Sequence, residues 1–292
     1  MLQPKVQPIR KQQAPPEIRA LLDDIQDTMG IPWPPTSWRT YAMYPSAMRL
    51  FWERLKPAVA SEPFLQEAMR ISGYAYREAP SWYKPVYRPD VSEEARRRIQ
   101  WELDAFEFGD PQLLIQQAAL SRALRGQTAG RPGSAEPRRQ VSAFRQPEIQ
   151  LIDEQEAPPD VRRLYEDIKQ TLELPLINAD YQALAKWPTF LKAAWEDIKE
   201  WLQRDEYARF VSDVALMAAE AASRLTPPLR IEPRELQGAL PDPGDLENLQ
   251  RIVQMFTHLL PGLIANVALF RTGIAEGRPI EMPQPERAAA PA

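Results

Sequence analysis

The stretch APPEIRALLDDIQDTMGIP at residues 14–32 recurs without a gap as APPDVRRLYEDIKQTLELP at residues 157–175, 143 positions later. The same offset aligns Trp52 with Trp195, so the register continues well beyond the repeated stretch. A single repeat of this length predicts one tandem duplication of a large unit rather than a solenoid of short repeats.

Both copies of the stretch carry apolar residues at spacings of three and four, as at Ile18, Leu21, Leu22 and Ile25. This spacing places the apolar side chains on one stripe of an α-helix. Sustained alternation of polar and apolar residues, which is typical of strands, is absent. We therefore expect an all-α fold in which two helical units pack into one pseudo-symmetric body with a cleft between the repeats, a common place for a ligand pocket.

The same patterns divide the chain into two helical repeats, a linker and two tails. The linker is rich in Gly, Pro, Ser and Arg, and the tails are rich in Pro and Ala, so we expect the tails to be poorly ordered. The predicted boundaries are a tail at 1–13, repeat 1 at 14–125, the linker at 126–148, repeat 2 at 149–278 and a tail at 279–292. Later helices are predicted at 62–78, 92–108 and 111–125 in repeat 1, and at 204–224, 245–259 and 262–276 in repeat 2.

Composition restricts the chemistry that the chain can perform. Cysteine is absent and His258 is the single histidine, which excludes thiolate metal sites and a cysteine nucleophile and disfavours a multi-histidine metal site or a Ser-His-Asp triad. Acid–base chemistry therefore falls to carboxylates.

Charge and hydropathy patterns indicate where the protein works. Lys and Arg number 36 and Asp and Glu 40, interspersed along the chain, which argues against a nucleic-acid surface. The amino-terminal residues lack the apolar core of a signal peptide, and the longest apolar stretch, interrupted by Pro261 and Gly262, is shorter than the roughly 20 residues of a membrane span. We expect a cytoplasmic protein that does not enter the membrane.

The two loops that follow the repeated stretches align without a gap but differ at nearly every position. They read IPWPPTSWRTYAMYP at residues 31–45 and LPLINADYQALAKWP at residues 174–188, and they place Ser37 opposite Asp180. One interpretation is that both residues are helix N-caps. The other is that one unmatched carboxylate makes an asymmetric site at the junction of the repeats.

Two further residues have the same ambiguity. Asp110 precedes Pro111, a common way to start a helix, but it is also a candidate acid–base group. The indole of Trp33 fits either the core or the wall of a pocket, and aromatic residues at helical spacing are more often core.

These residues also suggest a family, because the chain resembles the group I 2-haloacid dehalogenases. The resemblance rests on the duplicated helical plan, on DYQALAKWP from Asp180, on IPW at residues 31–33 and on FEFGDP at residues 106–111. It implies hydrolysis of short 2-halocarboxylic acids in the cleft, with no metal, cofactor or covalent intermediate. In such a reaction Asp180 activates the water that attacks the halogen-bearing carbon and inverts its configuration.

The resemblance also implies roles for other residues and a possible homodimer. Trp33 shapes an apolar slot, and the substrate is held around Thr36, Ser37 and Ala179, in part by backbone amides at the helix starts. The chain departs from the family where Thr36 replaces an aromatic residue, where Ala179 replaces a serine and where Asp110 replaces an asparagine. A second carboxylate beside an anionic substrate repels it unless Asp110 is protonated, points away or has another role.

Two alternatives stay open from the sequence. The first is a non-catalytic helical protein that binds a small carboxylate or a protein partner in the same cleft. The second is a different hydrolysis that uses Asp110 and Asp180 as a pair of carboxyl groups, which requires them to lie close together.

Overall fold

The computed structural model describes residues 4–86, 90–138, 144, 147–242 and 244–275. Within these residues the regular structure is helical, which confirms the all-α prediction. The α-helices are α1 (Pro16–Met29), α2 (Thr36–Tyr41), α3 (Pro45–Val59), α4 (Glu62–Trp82), α5 (Glu93–Ala123), α6 (Pro159–Thr171), α7 (Ala179–Leu184), α8 (Pro188–Lys199), α9 (Asp205–Ser223), α10 (Pro233–Gly238) and α11 (Asp245–Ala275).

Helix α1 illustrates how the repeated stretch specifies its own local structure. Pro16 occupies the first turn, where a backbone N–H would have no helical partner. The helix ends at Gly30, whose φ of 72° is the left-handed conformation that glycine adopts without strain. Ile18, Leu22 and Ile25 are buried on one face of the helix, so the predicted apolar stripe is confirmed.

Corresponding helices of the two halves begin at matching positions. Helices α6, α7, α8 and α9 each start 143 residues after α1, α2, α3 and α4. In the first half the Trp52 indole N–H donates to Asp24 over 2.7 Å, and in the second half Trp195 donates to Asp167 over 2.6 Å. The two halves therefore use the same contact to join the first helix of each set to the third.

The two longest helices, α5 and α11, pack against each other through the centre of the protein. Each is continuous, so the predicted breaks at 108–111 and 259–262 are wrong. Pro111 lacks a backbone N–H and leaves the carbonyl of Glu107 without its helical partner, but the Ser72 hydroxyl on α4 donates to that carbonyl over 2.7 Å. A tertiary contact thus supports a proline that the sequence pattern places at a helix start.

Among the described helices, α11 is the one long and apolar enough to cross a membrane by length and composition. However, 67% of its apolar segment is buried inside the protein, largely against α5. This burial is typical of the central helix of a helical core.

The segments predicted as a tail and a linker make specific contacts where they are described. The Ile9 amide donates to the carbonyl of Arg39, and the Arg10 guanidinium pairs with Asp153 of the second half. Within the predicted linker, Ala129 pairs its backbone with Leu229. Residues 4–13 are thus held against both halves rather than forming a free tail, whereas the predicted tail at 279–292 lies outside the described residues.

Candidate active site

A small cavity of about 20 Å³ lies where α2, α5, α7 and α11 meet. A space of this size holds about one water molecule. All six residues that the sequence singles out line this cavity, although they come from distant parts of the chain: Trp33, Thr36, Ser37, Asp110, Ala179 and Asp180. The remaining lining is Leu113, Asn178, Phe256, Leu260 and Leu263.

The short helices α2 and α7 bring Ser37 and Asp180 to the cavity. Their N-cap residues are Pro35 and Asn178, so Ser37 and Asp180 both lie within the first helical turn. The interpretation of these two residues as N-caps is therefore wrong. The Ser37 hydroxyl and the Oδ1 atom of Asp180 are buried without a hydrogen-bond partner, which leaves both available to a ligand.

Asp110 reaches the cavity from the middle of α5, so its interpretation as a helix start is also wrong. The preceding residue, Gly109, allows the indole of Trp33 to lie directly on the helix. A Cβ atom at position 109 would meet the indole at 2.4 Å, and on the same helix the ring of Phe106 packs 4.2 Å from that of Trp33. Glycine is therefore required at a helical position where it otherwise costs about 1 kcal/mol.

Asp110 and Asp180 are joined by a hydrogen bond between their carboxyl groups, and both are fully buried. Burial raises the pKa of Asp180 to about 6, while the hydrogen bond from Asp110 opposes this rise. The pKa of Asp110 lies well above its usual range, because burial and then the negative charge of Asp180 both favour its protonated form. The pair therefore shares one proton near neutral pH, with Asp110 as the neutral donor and Asp180 as the carboxylate.

A third acid, Glu107, lies one helical turn before Asp110. Burial, followed by the charges of Asp104 and Asp180, raises its pKa well above the usual range, so Glu107 is neutral. Near neutral pH the negative charge beside the cavity is thus concentrated on Asp180, and Asp110 adds no second repulsion. Within the described ranges, no group of three or more Asp, Glu, His or Cys side chains is arranged to hold a metal ion.

Asn178 is a cavity residue that the sequence does not single out. Asparagine is among the preferred N-caps, yet the side chain of Asn178 makes no cap bond to α7. Its Nδ2 atom is instead buried without a partner. An unpaired buried donor costs about 1–3 kcal/mol, and the one signal for it in the sequence is that the other half carries Pro35 at the matching position.

The sequence is also similar to those of known proteins. The family described as "Halocarboxylic acid dehydrogenase DehI" matches residues 32–181, about half of the chain. An (R)-2-haloacid dehalogenase of Pseudomonas putida is 28% identical over 91% of this chain and 92% of its own length. A configuration-inverting 2-haloacid dehalogenase of Pseudomonas sp. (strain 113) is 28% identical over 63% of this chain and 64% of its own.

A solved structure shows the same fold. It is the complex of a D-2-haloacid dehalogenase mutant with D-2-CPA, and it superposes with a TM-score of 0.89 at 25% sequence identity. The match covers 94% of this chain and 97% of that one, so nearly the whole helical arrangement is common to both.

Proposed function

The chain belongs to the family described as "Halocarboxylic acid dehydrogenase DehI", its activity is the hydrolytic dehalogenation of 2-haloacids, and we propose how its cavity performs this reaction. Short 2-haloalkanoic acids are converted to 2-hydroxy acids, with water supplying the hydroxyl oxygen. The observation that carries the proposal is a buried carboxylate, Asp180, with a free oxygen at a cavity of the size of one water.

Asp180 is the general base in this proposal. Oδ1 of its carboxylate accepts a proton from the water in the cavity while the water oxygen attacks C2 of the substrate from the side opposite the halogen. The new carbon–oxygen bond forms as the carbon–halogen bond breaks, the halide leaves with the bonding electrons, and the configuration at C2 is inverted. A pKa of about 6 leaves Asp180 ionised at neutral pH but basic enough to accept the proton.

Asp110 positions the base rather than acting as a second one. Its protonated carboxyl group donates to Asp180 and holds it in one orientation. The resemblance places an asparagine at this position, and a protonated aspartic acid is likewise an uncharged donor. This role removes the conflict between Asp110 and an anionic substrate.

The substrate carboxylate is held by donors on the two short helices. Ser37 and Asn178 have buried side-chain donors without partners, and the first-turn amides at Thr36 and Ala179 have no carbonyl one turn earlier in their own helices. Trp33 forms an apolar wall of the same cavity. These groups supply hydrogen bonds without adding a charge to the cavity.

We further propose that the site lies at the pseudo-twofold junction of a duplicated chain. Residues that line the cavity occur in pairs at similar offsets in the two halves. Ser37 and Asp180 are 143 positions apart, and Leu113 and Leu263 are 150 positions apart. The cytoplasmic location, supported by the absence of cysteine, and a homodimer, supported by the family resemblance, also belong to this proposal.

Halide release tests the proposed function. Purified protein is incubated separately with (R)- and (S)-2-bromopropionate, and free bromide and the configuration of the lactate are measured. We expect bromide above a buffer blank for at least one enantiomer and lactate of inverted configuration. Absence of bromide from both enantiomers would reject the function, and retained configuration would reject direct attack by water.

The same assay tests the anion donors. Ser37→Ala and Asn178→Ala each remove one hydrogen bond to the substrate carboxylate, so each raises KM by about tenfold, the effect of one charge-assisted hydrogen bond. An unchanged KM in both variants would show that other groups hold the carboxylate.

A further inference from the structure

We call the small cavity at Asp180 the reacting cavity. A second, larger space lies beside it, and we call this space the side chamber. Its volume is about 510 Å³, within the range of small-molecule binding sites. Asn178 and Leu263 line both the side chamber and the reacting cavity, so the two spaces share a wall. Tyr181, the residue after Asp180, also lines the side chamber.

The side chamber has a largely apolar wall. Leu172, Leu174, Val211, Met255 and Leu259 contribute aliphatic or thioether surface from the end of α6 and from α9 and α11. Such a wall favours a ligand that brings apolar area out of water.

Three polar groups of this wall form a hydrogen-bonded chain. The Tyr207 hydroxyl donates to Oδ1 of Asn266 over 2.9 Å, and Nδ2 of Asn266 donates to the Tyr181 hydroxyl over 2.9 Å. The guanidinium of Arg251 pairs with Glu247. These groups are therefore partly satisfied within the protein, while Glu173, Gln254 and His258 add polar surface elsewhere on the wall.

The reacting cavity is too small to enclose a whole haloacid, so part of the substrate must lie outside it. At about 20 Å³ it has room for about one water. The carboxylate, halogen and attacking water meet at C2, and the substituent there must extend away from Asp180. Asn178 and Leu263, which face both spaces, mark the side on which the larger volume lies.

We propose that the side chamber binds the alkyl substituent of the substrate, so that the protein hydrolyses medium-chain 2-haloalkanoic acids as well as short ones. This inference rests on the proposed function. Each methylene that leaves water for the chamber raises kcat/KM by up to about fourfold. The specificity-determining surface is the apolar face of α9 and α11 at Val211, Met255 and Leu259.

A chain-length series tests the inference in the unmodified protein. Bromide release is measured with 2-bromopropionate, 2-bromohexanoate and 2-bromooctanoate, and kcat/KM is compared. We expect kcat/KM for 2-bromooctanoate to exceed that for 2-bromopropionate by at least tenfold. Turnover of 2-bromopropionate with no turnover of the two longer acids would overturn the side-chamber inference and leave the proposed function intact. No turnover of any acid would reject the proposed function itself.

A matched pair of variants on α9 tests the location of the alkyl chain. Val211 is half-buried in the chamber wall, whereas Leu216 is 59% exposed on the same helix and lies outside the chamber. Val211→Trp fills part of the chamber and lowers the ratio of kcat/KM for 2-bromooctanoate to that for 2-bromopropionate by at least tenfold. Leu216→Trp leaves this ratio unchanged. An equal ratio in the two variants would overturn the inference.

Discussion

The two halves of the protein make the same side-chain contact at one set of positions and carry different side chains at another. Asp24 and Asp167 make the same contact to the corresponding tryptophans, Trp52 and Trp195. At the reacting cavity, by contrast, the matching position is a serine, Ser37, in one half and a carboxylate, Asp180, in the other. The positions that agree hold helices together, and the position that differs carries the proposed base.

The difference follows from what a displacement reaction requires. Water must approach carbon from one side while the halide leaves on the other, so the two sides of the cavity need different groups. A pair of identical carboxylates would repel each other and the anionic substrate. In the proposed mechanism this requirement is met by Asp180 from the second half and a protonated Asp110 from the first.

Making the two halves alike at the position of Ser37 and Asp180 has the largest expected effect on activity. Asp180→Ser places serine in both halves and removes the base, and we expect kcat to fall by about a thousandfold, within the range for loss of a general base. The measurement is bromide release from 2-bromopropionate at saturating substrate.

Thermal unfolding provides the control for this variant. A buried carboxylate contributes little to stability or opposes it, so Asp180→Ser should unfold at the same temperature as the parent or higher. A folded Asp180→Ser variant with parental kcat would remove Asp180 from the base role.

The next largest effect concerns the proton shared by Asp110 and Asp180, and it is seen in the pH dependence of kcat/KM. In the parent, kcat/KM rises as pH passes about 6, where Asp180 ionises, and falls on the alkaline side of the optimum, where Asp110, whose pKa is raised further by burial and by the charge of Asp180, loses its proton. Asp110→Asn replaces the protonated acid with an amide that cannot ionise. We expect this variant to keep the acid limb, to lose the alkaline limb and to retain kcat/KM within about tenfold of the parent at the optimum.

This variant also separates two roles for Asp110. If Asp110 were a base, removal of its carboxylate would cost about a hundredfold or more at every pH. If it positions Asp180 as a neutral donor, asparagine preserves that hydrogen bond. A large loss of activity together with an unchanged alkaline limb would reject the positioning role.

The sequence predicts the helices better than their ends. Apolar spacing identifies α1 and α6 because a helix that packs on a core must bury one stripe. The continuity of α5 through Pro111 is invisible to such a pattern, because the hydroxyl that replaces the lost backbone donor belongs to Ser72, a residue on another helix. Contacts of this kind depend on tertiary packing.

The candidate site, too, is predicted only in part by the sequence. The paired loops and the family resemblance bring Ser37, Asp110 and Asp180 to attention, and the structure places all three at one cavity. The proton shared by the two aspartates follows from their burial, which a sequence pattern does not measure. Asn178 is overlooked because an asparagine before a helix already has a sufficient structural explanation.

The smallest expected effect concerns the positions where the halves agree. Asp24 accepts from Trp52 and Lys56, and its counterpart in the second half, Asp167, accepts from the matching tryptophan and lysine. Because both carboxylates are partly exposed to solvent, Asp24→Ala and Asp167→Ala should each lower the free energy of unfolding by about 1 kcal/mol. Urea denaturation measures the loss, and kcat for 2-bromopropionate should stay at the parental value in both variants. Equal losses would support an equivalent structural role in the two halves, whereas a loss in one variant alone, or a fall in kcat in either, would contradict it. The comparison is sharp because the two substitutions are chemically identical and differ only in the half of the protein that carries them.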